Sequence, residues 1–148
     1  MGGADRTLKT IRRLLLTAFS GGTAGTAAEL LLIGHFEDEW QLVPVFLLSL
    51  GALAGIAHAL RPAALPVRLL QALMILFFVS AGIGTALHYR GNTEFELEMY
   101  PSLAGPELVG KTMTGAFPVL APGTMALLAL VGLALTHRHP ALRVSEED

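Results

Sequence analysis

With 148 residues, 53% of them hydrophobic and 15% charged, the chain is far more apolar than an ordinary soluble domain of its length. The absence of cysteine excludes disulfides, thiolate metal sites, iron–sulfur clusters and cysteine nucleophiles together, so redox compartment cannot be inferred. A net charge of −2, with neither a basic stripe nor a basic tail, gives no footing for nucleic acid.

A hydrocarbon core of ~30 Å takes about 20 apolar residues per helix, so four spans with short loops consume nearly the whole chain. The mean hydropathy of +0.58 agrees with that use of the length. The expected fold is therefore all-α, an integral membrane four-helix bundle forming a single transmembrane domain with no room for a separate soluble one.

The polar, basic start MGGADRTLKTIRR leads into a first span from Leu14 to Gly34. The apolar run continues past its small residues without a clean cleavage pattern, which favours a retained span over a signal peptide. Gly21 and Gly25 stand at the small-xxx-small spacing that lets membrane helices approach closely. Gly22, Gly25, Thr26 and Glu29 follow at three- and four-residue steps and share a face assigned to the bundle interior. That assignment points Glu29 at protein.

The acidic turn HFEDEWQ precedes a second span from Leu42 to Leu60, in which Pro44 sits in the first turn and Gly51 and Gly55 repeat the close-packing spacing. The connector RPAALPVR reads as a tight turn. A third span, from Val67 to Tyr89, holds no charge after Arg68. Beyond it, Glu94, Glu96 and Glu98 alternate with Phe95, Leu97 and Met99 as on a half-buried strand, whereas Thr93-x-x-Glu96 matches a capping box and Pro101 would stop a short helix. The helical reading is preferred. Gly105-Pro106-Glu107 predicts a short interfacial helix over about Pro106 to Gly115, within an outer cap spanning residues 88–116. The fourth span runs from Phe117 to Thr136 with Pro118 and Pro122 kinking its start, and the polar tail HRHPALRVSEED is expected to fray.

Eight of the ten basic residues fall in the N-terminus, the second connector and the tail. The other side holds Arg90 and Lys111 against Glu37, Asp38, Glu39, Glu94, Glu96, Glu98 and Glu107, so the positive-inside rule puts both termini in the cytoplasm of a multi-pass plasma (inner) membrane protein. Trp40, Tyr89 and Tyr100 then mark the outer boundary.

That orientation sets His35 and His88 at one depth beside the acidic residues. Two imidazoles with one or two carboxylates suit zinc, iron, manganese or copper, so a candidate divalent-metal site comprises His35, Glu37, Asp38, Glu39, His88, Glu94 and Glu96. The competing reading is a set of solvated acidic loops, because no HExxH, ExxH or EF-hand pattern fixes ligand geometry. Glu29 is the one ionisable residue well inside a span. It suits either a structural hydrogen bond to a hydroxyl such as Ser80, Thr85 or Thr124, or a contact for a proton, cation or ligand. His58, His137 and His139 belong to the other end, His58 as a boundary residue, and bis-histidine haem is disfavoured because the histidines lie near span ends. No phosphate loop, dinucleotide fingerprint or nucleophile with a base appears, so no catalytic residue is assigned.

GHFEDEWQ closing one span, HYRGNTEFELEMYPSLAG closing a later one and APGTM opening the last resemble a family of small bacterial four-span membrane proteins over Glu29 to Leu142. That resemblance implies the fold and no activity, cofactor or partner. Three functions remain open: an accessory or scaffold subunit packing with itself or a larger membrane complex, a metal-binding or redox subunit, and a small transporter using Glu29.

Overall fold

The computed structural model describes residues 2–142, and they are all-helical, with no strand among them. Helix α1 spans Gly3–Leu32, α2 Glu39–Leu60, α3 Ala64–Met99, α4 Gly105–Met113 and α5 Gly123–Thr136, followed by a 3-10 turn at Pro140–Leu142. Two of them, α2 and α3, are long and apolar enough to cross a membrane. The polar residues before Leu14 continue α1 instead of preceding it, and the serine-, threonine- and glycine-rich middle of that helix, with Glu29, dilutes its apolar character.

The ends of these helices follow from local chemistry. α1 stops in a Schellman motif: Gly34 takes φ +70°, and the N–H groups of His35 and Gly34 donate to the Leu30 and Leu31 carbonyls at 2.8 and 3.2 Å. Asp38 caps α2 by accepting the Gln41 N–H at 2.9 Å, and Gln41 Oε1 accepts the Glu37 N–H at 2.9 Å. The connector between α2 and α3 shrinks to residues 61–63, because Pro66 is accommodated in the first turn of α3. α3 does not pause after Tyr89. It runs 36 residues to Met99 and ends before Pro101, so Thr93 is a mid-helix residue whose hydroxyl donates to the Tyr89 carbonyl at 2.9 Å, and the capping-box reading is replaced. α5 begins at Gly123, later than the expected Phe117, because Pro118 and Pro122 hold 117–122 in turns.

Packing runs from α1 to α2, α2 to α3, α3 to α5 and α5 back to α1, while α4 rests on α3. The centre of this arrangement is Phe19, fully buried and 6.5 Å between ring centroids from Phe77. A Cβ added at Gly51, Gly55 or Gly132 would stand 3.6, 3.4 or 3.4 Å from the Phe19 ring. Three glycines from two helices thus form the socket for one aromatic knob. Leu48, Leu70, Met74, Leu128 and Leu135 close the core around it.

The first glycine pair behaves differently. A Cβ at Gly21 or Gly25 would meet nothing within 4 Å, and Glu29 is exposed on the same side of α1. The expectation that Gly25 and Glu29 face the interior is therefore corrected: the inward face of α1 is carried by Phe19 and Thr23, both buried. With Phe19 and Thr23 inward, Gly21, Gly25 and Glu29 are turned outward, while Gly22 packs against Leu128.

Candidate functional site: histidine pairs at the two ends

Near the acidic end, the Schellman turn after α1 delivers His35 to within 6.3 Å, centroid to centroid, of His88 on α3. His88 Nδ1 lies 2.9 Å from the Pro118 carbonyl. A carbonyl only accepts, so Nδ1 carries the proton and the Nε2 lone pair is left for another partner. Burial lowers the His35 pKa below the ordinary histidine range, the neighbouring His88 lowers it further, and Asp38 opposes both.

The carboxylates of the candidate metal set are not gathered around this pair. Asp38 is used as the α2 cap, and Glu94 forms an exposed ion pair with Arg90 at 2.7 Å. Glu37 and Glu39 are exposed and Glu96 is half-buried on α3. Among the described residues no group of three or more histidine, aspartate or glutamate side chains is arranged to hold a metal ion. The structure thus brings together His35 and His88, with Asp38 near enough for its charge to act on His35, and does not gather Glu37, Glu39, Glu94 and Glu96 with them into a metal-holding group. Glu29 is exposed on α1.

The acidic end is held by a residue that the sequence did not single out. Asn92, 1% exposed, donates from Nδ2 to the Thr112 and Phe117 carbonyls at 2.9 and 2.7 Å and accepts the Phe117 N–H through Oδ1 at 2.9 Å. A Cβ at Gly115 would come within 2.6 Å of the Asn92 side chain, and one at Gly91 within 3.3 Å of the Phe117 ring. These contacts tie the segment from α4 to α5 onto the extension of α3. A lone buried asparagine on a long helix was the available signal, and its partners are backbone groups 20 to 25 residues away.

At the opposite end, the chain turns back after α5 and packs His139 against His58, with ring centroids 5.1 Å apart and planes at 74°. His58, in the last turn of α2, is buried, and residues 137–142 are folded back onto the helices. The rest of the tail expected to fray, 143–148, lies outside the described residues.

No protein-family profile, no curated protein and no solved structure matches this chain.

Proposed function

We propose that this protein is a small four-span integral membrane subunit of the inner membrane, with both termini cytoplasmic, that works by packing with a second copy of itself or within a larger membrane complex. The observation that carries this reading is the outward face of α1. Thr17, Gly21, Gly25 and Glu29 stand four residues apart and are all exposed, and a Cβ at either glycine meets open space. In lipid, small residues let a second helix approach closely, and a carboxyl facing hydrocarbon is costly until protein covers it. Gly51 and Gly55 offer no such surface, because Phe19 fills them.

The test uses the absence of native cysteine. Single cysteines at the exposed positions Ala18, Ala24 and Ala28 are oxidised in native membranes, and a covalent dimer is expected. Gly21→Leu and Gly25→Leu are expected to abolish it while leaving the fold intact. A monomer in mild detergent, with no cross-link and no partner captured, sinks the reading.

A second reading, a metal-binding or redox subunit, is favoured by the free Nε2 of His88 beside the His35 ring. A histidine whose other nitrogen donates to a carbonyl is oriented as metal-bound histidines are. Elemental analysis of protein purified without chelator decides it. Near-stoichiometric metal that disappears in the His35→Ala, His88→Ala double variant supports the reading, and unchanged content in that variant excludes this site.

A further inference from the structure

Beyond subunit packing, the end opposite His35 and His88 carries an arrangement that neither reading uses. His58 and His139 come from α2 and from the returning strap after α5, and they are only 6% and 8% exposed. Nδ1 of His58 is enclosed without a hydrogen-bond partner. Nδ1 of His139 accepts the Ala141 N–H at 3.2 Å, which leaves that ring's proton on Nε2. Arg12 of α1 reaches across, its Nη2 donating to the His137 and Arg138 carbonyls at 3.4 and 3.3 Å. The strap turns at Arg138 with φ +44°, a left-handed conformation uncommon for a residue with a Cβ.

We infer that residues 137–142 form a proton-released latch: they stay docked while both imidazoles are neutral, and protonation of the pair frees the strap from the helices.

The groups facing the pair decide the direction. α1 contributes the Arg12 guanidinium, α2 contributes His58 itself, and α3 contributes the neutral amide of Gln71, which donates to the Thr136 carbonyl at 3.4 Å. The strap adds His137 and Arg138, both exposed. α5 carries no acid, and neither α2 nor α3 carries one between Glu39 and Glu94. The described acid of this end, Asp5, lies seven residues from Arg12, about 10 Å of helix away. A proton on either ring is therefore buried beside a second imidazole and a guanidinium, with no carboxylate beside it among the described residues. A metal cation meets the same repulsion and only two ligands, so the chemistry suits a proton sensor.

Burial first, then His58, then Arg12 hold the His139 pKa below its ordinary value. A base whose docked pKa is depressed favours docking at high pH. The advantage declines as pH falls from about 6.5, the ordinary histidine value, through the lowered docked value.

A nitroxide on Pro140→Cys, an exposed strap position in a cysteine-free chain, reads the latch in the full-length protein in lipid nanodiscs. Its spectrum is expected to be immobile at pH 8 and mobile at pH 5, with the transition below about 6.5. In the His58→Phe, His139→Phe double variant, which keeps two rings and removes titration, the label is expected to stay immobile throughout. In Arg12→Gln, which removes a cause of the lowered docked pKa together with two hydrogen bonds to the strap, the difference in label mobility between pH 8 and pH 5 is expected to be smaller than in the wild type. Circular dichroism checks folding, and if the double variant misfolds, the size of the Arg12→Gln change decides. An unchanging wild-type spectrum, a wild-type transition kept in a folded double variant, or a change in Arg12→Gln as large as in the wild type overturns the latch.

Discussion

Asn92 shows how one side chain holds a whole segment in place. Its amide satisfies two carbonyls and one N–H in a stretch whose prolines deny it helical hydrogen bonds. Asn92→Ala leaves those groups unpaired in a buried place, so we expect a loss of about 2 kcal/mol or more. Thermal unfolding in detergent, with faster proteolysis within 114–121, is the check, and an unchanged melting temperature refutes the role. His35 makes a second prediction at this scale. Its pKa is lowered in the folded chain, so folding is favoured by the neutral ring, and that contribution is lost as pH falls from about 6.5 through the lowered folded value. Amide exchange at 35–42 and 84–92 is expected to rise on acidification from pH 7.5 to 5, and to rise less in His35→Gln. Equal rises in both proteins assign the effect to other groups.

At the scale of elements, the two Gly-xxx-Gly pairs look alike in sequence and part company in the fold. A Cβ at Gly51 would stand 2.8 Å from the Phe77 ring, and one at Gly132 would collide with Met74, so substitution there overpacks the core by roughly 1–3 kcal/mol. Gly21→Ala has open space and is expected to leave monomer stability nearly unchanged. Phe19→Ala empties the socket and is expected to cost roughly 3 kcal/mol, since lost packing is felt in lipid as it is in water. Stability measured for these four variants tests the ranking, and a Gly21→Ala loss as large as that of Gly51→Ala contradicts it. Prolines act at this scale too. Pro101 ends α3 and Pro118 and Pro122 delay α5, whereas Pro66 sits in the first turn of α3, where the missing N–H is without consequence. Pro44, expected in the first turn of α2, lies inside that helix instead, because α2 begins at Glu39 and not at Leu42.

For the whole molecule, the charge distribution predicts which end faces which compartment. A cysteine at exposed Glu98 is expected to react with a membrane-impermeant thiol reagent in intact spheroplasts, and one at exposed Arg61 only after lysis. The reverse result inverts the proposed topology. The end-to-end difference also separates the histidines, with His35 and His88 in contact at one end and His58 and His139 at the other.

The helices themselves were legible in the chain. Apolar run length, the glycine at 34, Asp38 before Gln41 and the prolines are local signals, and local hydrogen bonding and steric exclusion act on them directly. The meeting of His35 with His88 was legible for the same reason, since both fall at helix depths set by length alone. Helix rotation was not. Between Leu14 and Leu32, α1 carries small or apolar residues on every side apart from Glu29, so periodicity does not distinguish an inward Phe19 from an inward Glu29, and the socket offered by Gly51, Gly55 and Gly132 chose between them. The same holds for Asn92 and for the His58–His139 contact. Their partners are distant in sequence and largely backbone or neutral, so no charge or spacing announced them. Sequence alone determined what forms locally, while the tertiary structure decided which faces meet, because close packing is a property of several segments at once.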